Sequence, residues 1–140
     1  MDNHTKEQRH YNMSQIKSKN TRPEEYVRKY LFAHGFRFRK NDKRYAGHPD
    51  VVLPKYKTII FVNGCFWHMH NCGDFVWPKS NKEYWQPKLE KNKMRDEENI
   101  KVLQDSGWHV IVVWECELKT VLARTARMTQ LINDIESNIK

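Results

Sequence analysis

Apolar residues recur at helical spacing just after residue 20 and at strand spacing soon afterwards, so changes of period divide the chain into elements. Tyr26, Val27, Tyr30 and Leu31 follow the recurrence of an amphipathic helix. Thr21-Arg22-Pro23-Glu24 ahead of them has the form of a capping box with proline in the first turn, and Gly35 supplies the stop. Phe36-Arg37-Phe38-Arg39 alternates apolar and basic, as a half-exposed strand does, until the polar stretch Lys40 to His48 ends it. Asp50-Val51-Val52-Leu53 and Thr58 to Phe61 are short β-branched runs separated by Pro54-Lys55-Tyr56-Lys57, which predicts two strands joined by a tight turn.

Ser80-Asn81-Lys82-Glu83 has the form of a second capping box and opens a highly charged segment that predicts a helix to about Ser106, stopped by Gly107. Pro87 inside it predicts a kink, or two helices meeting there. Trp108 to Trp114 is the most β-rich run and predicts a central strand. Leu118, Val121, Leu122, Met128, Leu131, Ile132 and Ile135 predict a closing amphipathic helix from Glu117 to about Ile139. The order is helix, three strands, helix, strand, helix, which predicts one sheet with helices packed on it. Residues 1–20 carry charge and little apolar pattern beyond Tyr11, Met13 and Ile16. They are expected to form a basic arm, flexible without DNA, ahead of a single domain over 21–140.

At 140 residues one core suffices, and 39% hydrophobic, 30% charged and 12% aromatic residues make a globular composition. Twenty-five Lys and Arg against 17 Asp and Glu leave a net charge of +8 spread along the chain. Such a field favours a polyanion, because each phosphate neutralised releases condensed counterions, and nucleic acid is the expected partner. No apolar run approaches the ~18 residues of a membrane span. The N-terminus lacks a secretory apolar core, so a cytoplasmic address is expected. Three cysteines, an odd number, point to metal ligation or buried thiols instead of a disulfide framework.

The stretch FVNGCFWHMHNC concentrates candidate ligands: Cys65, His68, His70 and Cys72, with Cys116 just beyond a predicted strand end. Structural zinc takes four nitrogen or sulfur ligands in a closed tetrahedron, so five candidates exceed the places. His68 and His70 are two apart, on one face of a strand but on nearly opposite sides of a helix, so periodicity leaves open which is spare. Asp50, at a strand start and followed by a strand ending at Val62-Asn63, has the placement by which many nucleases hold magnesium, although a Pro-Asp pair is commonly plain turn chemistry. Phe66, Trp67, Trp77, Tyr84 and Trp85 surround this region, either as core or as wedges that unstack bases.

GHPDVVLPKYKTIIFVNGCFWHMHNC, then WPKSNKEYWQPKLEKNKMRD and GWHVIVVWECEL, together with NMSQIKSKNTRPEE upstream, resemble the very short patch repair (Vsr) DNA mismatch endonuclease family over about residues 9–119. The resemblance implies a restriction-endonuclease-like fold of the PD-(D/E)xK superfamily, a mixed sheet flanked by helices with a structural zinc, and Mg²⁺-dependent nicking of one strand beside a T·G mismatch. It implies Cys65, His70, Cys72 and Cys116 as zinc ligands, leaving His68 free. It further implies Asp50 and the main-chain carbonyl of Val62 as magnesium ligands, with His68 as general base and Glu24 assisting. Phe66, Trp67 and Trp85 match aromatics wedged into DNA, Met13 an intercalating residue from the other groove, and Lys88 and Asn92 residues near the mismatched bases.

One departure falls in the catalytic set: Asn63 stands where many relatives carry a histidine, and it cannot act as a base at neutral pH. The implied partners are duplex DNA with a T·G mismatch and the mismatch-repair proteins, with the enzyme a monomer acting at the nucleoid. Two other readings share the charge and ligands: a zinc-stabilised module that bends DNA without cutting, and a restriction-type endonuclease acting on matched sites.

Overall fold

The computed structural model describes residues 21–65, 68–70 and 81–138. Helix α1 (Arg22–Ala33) begins where the sequence places it. The Thr21 hydroxyl oxygen accepts from the Glu24 N–H at 3.4 Å, and Glu24 Oε2 accepts from the Thr21 N–H at 3.3 Å, so the capping box closes in both directions. Gly35 takes φ 89°, open to a residue without a β-carbon, and turns the chain toward the sheet.

The sheet contains β1 (Arg39–Lys40), β2 (Val51–Leu53), β3 (Thr58–Asn63) and β4 (His109–Trp114), in that spatial order. β1 and β2 pair antiparallel, as do β2 and β3, whereas β3 and β4 run parallel. The parallel pair requires a crossover, and α2 (Lys82–Asp105) lies in it. A 3-10 turn, Pro54–Tyr56, joins β2 to β3 and ends on Lys57 in the left-handed region. The result is the single sheet with helices packed on it that the element order predicts, and it is mixed, as the resemblance implies.

Several details differ from expectation. The strand predicted at Phe36–Arg39 is displaced, because Phe36 leaves the sheet line to bury its ring 5.4 Å from that of Tyr56. The run predicted as a central strand, β4, is an edge strand among the described residues. Its apolar content is explained by cover on both faces: Ile111 and Val113 join one core cluster and Val110 packs on the other. At the start of α2, Asn81 is the N-cap in the left-handed region with no side-chain cap bond, so the capping box expected from Ser80 does not set this start, and Ser80 lies outside the described residues. α2 then runs through Pro87 as one helix of 24 residues, so of the kink or two helices expected there the two-helix alternative falls away. A 3-10 turn, Glu115–Leu118, precedes α3 (Val121–Ser137), which starts beyond the expected Glu117 because the Thr120 hydroxyl caps Ala123 at 3.1 Å.

Helices α1 and α3 cover one sheet face, where Val27, Leu31, Val51, Leu53, Ile60, Val113, Met128, Leu131 and Ile135 form the larger core. The other face carries Val52 and Ile59 under Leu103 of α2, with Tyr45, Ala46 and Trp108 completing it. No described helix is long and apolar enough to cross a membrane.

Candidate active site

β2 stops at Val51, paired with Ile60, while β3 continues to Asn63. Continued by two residues, the register would set Pro49 opposite Val62, and proline has no N–H to offer the ladder. That missing donor would leave the Val62 carbonyl without a ladder partner, while the Val62 N–H is taken by Oδ2 of Asp50 at 2.6 Å. In an antiparallel pair the N–H and C=O of one residue point to the same side, so the Val62 carbonyl also faces Asp50. A carboxylate and a main-chain oxygen thus meet where the ladder ends, and Pro49 keeps a competing donor out.

Glu24, one turn into α1, adds a second carboxylate. Arg28, one turn further on, binds Glu24 Oε2 at 3.3 Å and Asn41 Oδ1 at 3.0 Å through Nη2, and donates from Nε to the Asp50 carbonyl at 3.3 Å. Its Nη2 also lies 4.0 Å from Asp50 Oδ1. Burial pushes the Asp50 carboxyl up to about 7 despite the Val62 hydrogen bond, with the Glu24 carboxylate adding to the rise and Arg28 opposing it. A carboxyl raised by burial and like charge is a strong site for either a proton or a divalent cation. The donors are hard oxygens, a set that fits Mg²⁺.

The neighbouring corner belongs to imidazoles. Trp114 pairs in register with Asn63 at the end of β3, where Asn63 is buried. The His70 ring stacks on Trp114 with centroids 3.8 Å apart and planes 2° from parallel, and His68 meets the same indole edge-on at 6.1 Å. His68 Nδ1 is hydrogen-bonded to a carboxylate oxygen of Asp96 on α2. The contact fixes the ring through Nδ1 and not through Nε2. Asp96 was not foreseen from the sequence, although it lies four residues beyond Asn92 on the same helix face. Arg28, likewise unforeseen, stands four beyond Glu24.

His70 Nδ1 lies 3.6 Å from Cys65 Sγ and 3.5 Å from Cys116 Sγ, and the three ligand atoms fall within 4.8 Å of one another. Bonds of about 2.3 Å to sulfur and about 2.0–2.1 Å to nitrogen at a tetrahedral angle give an S···N edge of about 3.6 Å. The spacing is therefore that of a tetrahedral thiolate-imidazole centre, and this group could hold a metal. The expected fourth ligand, Cys72, lies outside the described residues. The Cys65 carbonyl accepts the His70 N–H at 2.9 Å, so a tight backbone loop carries two of the ligands.

Along α2, Trp85, Lys88, Asn92 and Asp96 fall on one stripe at i, i+3, i+7 and i+11. At its N-terminal end the Trp85 ring packs edge-on to Tyr84 at 5.2 Å, with Lys88 Nζ 5.9 Å from the Trp85 ring. Asn92 is half-buried and Lys88 exposed. The stripe connects an aromatic-basic patch to the His68 partner. Met13, Phe66 and Trp67 lie outside the described residues.

A family model described as DNA mismatch endonuclease Vsr matches residues 1–74. Relatives include the type II nicking enzyme V.NmeAIP of Neisseria meningitidis serogroup A, 49% identical over 96% of each chain. The type II nicking enzyme V.XorIIP of Xanthomonas oryzae pv. oryzae is 46% identical over 91% of this chain and 93% of its own. DNA mismatch endonuclease Vsr of Escherichia coli K12 is 41% identical, covering 84% of this chain and 76% of the relative. A family match over more than half the chain and identities of this size across most of it lead to one conclusion: the chain belongs to the Vsr DNA mismatch endonuclease family and is a DNA endonuclease.

Proposed function

We propose that this endonuclease nicks one strand of duplex DNA beside a T·G mismatch in a Mg²⁺-dependent reaction that initiates very short patch repair, on a restriction-endonuclease-like fold stabilised by a structural zinc. The observation that carries the reading is the meeting of Asp50, Glu24 and the Val62 main chain at the end of β3, beside the corner where His68 is oriented by Asp96. The name of the Escherichia coli relative supports the mismatch, and those of the nicking enzymes support a single-strand cut.

Asp50 and the Val62 carbonyl would hold the magnesium ion, which when bound polarises the scissile phosphate and stabilises the leaving oxygen. His68, its Nδ1 held by Asp96, takes the proton of the attacking water at Nε2, the role a carboxylate-oriented imidazole serves well near neutral pH. Glu24 orients that water. Asn63 is a hydrogen-bonding neighbour and not a second base. In-line attack gives a 5′-phosphate and a 3′-hydroxyl. Cys65, His70, Cys72 and Cys116 would hold zinc and fix the loop that presents His68.

Trp85, with Phe66 and Trp67, supplies the aromatic wedge, Met13 enters from the opposite groove, and Lys88 and Asn92 lie near the mismatched bases. A T·G wobble stacks less well than a matched pair, so opening the duplex there costs less. Residues 1–20 act as a DNA-ordered arm on one domain, in a monomer that hands its nick to mismatch-repair proteins in the bacterial cytoplasm.

The test is a nicking assay over all mismatches in varied flanks, with and without Mg²⁺. Cutting confined to one strand at T·G and dependent on Mg²⁺ is expected. Cleavage of both strands of matched duplex would select the restriction reading, and tight binding with no cleavage of any substrate would select the bending module.

A further inference from the structure

Arg28 is 7% exposed, and a buried guanidinium is costly unless its donors are used. Here they are divided among the two carboxylates and the main chain of the cluster. Nη2 reaches Glu24 Oε2 at 3.3 Å and Asn41 Oδ1 at 3.0 Å, Nε reaches the Asp50 carbonyl at 3.3 Å, and Asp50 Oδ1 lies 4.0 Å from Nη2. Asn41 follows β1 and takes φ 50°, so the same side chain ties α1, the end of the edge strand and the bend before β2. No other described basic side chain touches Asp50.

We propose that Arg28 is a positioning residue that holds Glu24 and Asp50 in one cluster and whose charge sets how tightly that cluster takes a divalent cation. This rests on the reading of Asp50 as a magnesium ligand. Two effects of the side chain are separable. Its fork fixes the Asp50 main chain and the Glu24 carboxylate, which serves the rate. Its positive charge opposes a second cation in a partly dry site, which weakens metal binding; single and double positive charges several ångströms apart repel enough to shift affinity about tenfold. Removing the fork and the charge together therefore tightens metal binding while slowing the reaction, a pair of opposite changes that loss of folding cannot produce.

The experiment titrates Mn²⁺ into the DNA-free full-length protein, followed by electron paramagnetic resonance, for wild type, Asp50→Ala, Arg28→Lys and Arg28→Met. Circular dichroism confirms folding, and Arg28→Gln replaces Arg28→Met if the latter does not fold. Nicking rates at saturating Mg²⁺ are measured in parallel. Arg28→Met is expected to bind Mn²⁺ about tenfold tighter and to nick at least tenfold more slowly. Arg28→Lys, which keeps the charge but has no Nε donor, is expected to bind Mn²⁺ within about twofold of wild type and to nick more slowly. Equal or weaker Mn²⁺ binding by Arg28→Met, or nicking by it at the wild-type rate, overturns the role of Arg28. Mn²⁺ binding that survives Asp50→Ala overturns instead the magnesium assignment beneath it.

Discussion

The Val62 N–H donates to Oδ2 of Asp50 at 2.6 Å, while the Val62 carbonyl on the same side would meet no N–H donor at Pro49 if the strand register continued. That hydrogen bond holds a carboxyl that burial has pushed up to about 7. Because the native state binds this proton more tightly than the unfolded chain, the associated stability is fully present below the unfolded value near 4 and is lost as pH rises to about 7. Asn at this position keeps an acceptor for Val62 without the charge. Asp50→Asn is therefore expected to abolish nicking while raising stability in Mg²⁺-free buffer. The gain grows from pH 4 to 7 and reaches roughly 2–4 kcal/mol at pH 8, with several degrees in Tm. Thermal melts across pH check it, and a variant less stable than wild type at pH 8 would contradict the assigned environment.

The proposed mechanism also rests on His68, hydrogen-bonded through Nδ1 to Asp96. Asp96→Asn keeps the shape but gives Nδ1 a neutral amide in place of the carboxylate that holds it. Nicking is expected to fall about 100-fold, and His68→Ala at least as far, in the 10²–10⁴ range of general base catalysis. Zinc content and DNA affinity should be unchanged in both. Asp96→Asn with the wild-type single-turnover rate would remove Asp96 from the mechanism.

How much of this was legible beforehand depends on distance along the chain. The capping box at Thr21 and Glu24 is a local signal and was read correctly, as were the turn at 54–57 and the sequence order of elements. The edge position of β4 was not, because burial by helices on both faces gives the same apolar run as burial between two strands. Cys65, His68 and His70 stood out by density. Asp96 did not, since an acidic residue in a helix with this many charges carries no mark until the fold brings it, 28 positions along, to His68. Arg28 was hidden for the same reason: Glu24, Asn41 and Asp50 reach it from α1, the end of β1 and the bend before β2.

Cys116 reaches His70 across 46 positions, so a metal held by the two would staple the end of β4 to the loop after β3. A closed structural site contributes folding free energy directly. Cys116→Ser is expected to lose bound zinc, about one equivalent per chain by atomic absorption, and to lower Tm by ten degrees or more. Retention of full zinc and stability would reject Cys116 as a ligand.

Gly47 has φ 79°, and a β-carbon there would lie 3.1 Å from both Asn99 Nδ2 and a ring carbon of Phe61. Both the backbone conformation and the contact oppose any side chain. Gly47→Ala is expected to destabilise by about 1–3 kcal/mol. Position 47 leads through Pro49 into Asp50, so the nicking rate should fall as well, while zinc content stays constant. Denaturant unfolding and a single-turnover assay measure the two effects, and an alanine variant as stable as wild type would show that the loop yields freely.

Trp85 and Lys88 share one face of α2 but should fail in different ways. An indole used as a stacking platform contributes about 1–3 kcal/mol per base, so Trp85→Ala is expected to weaken binding ten- to hundredfold, more on T·G duplex than on matched DNA. Lys88 near the mismatched bases should, when changed to Ala, reduce T·G preference and leave the slope of log K against log salt nearly unaltered. A lysine contacting only phosphate acts through counterion release, and its loss would instead weaken both duplexes alike and reduce that slope by about 1. Fluorescence anisotropy on paired T·G and matched duplexes at several salt concentrations separates these outcomes, because selectivity and slope are read from the same titrations. Loss of selectivity in Trp85→Ala with an unchanged slope would place the wedge on α2; loss of slope alone would reduce Trp85 to support for its neighbours.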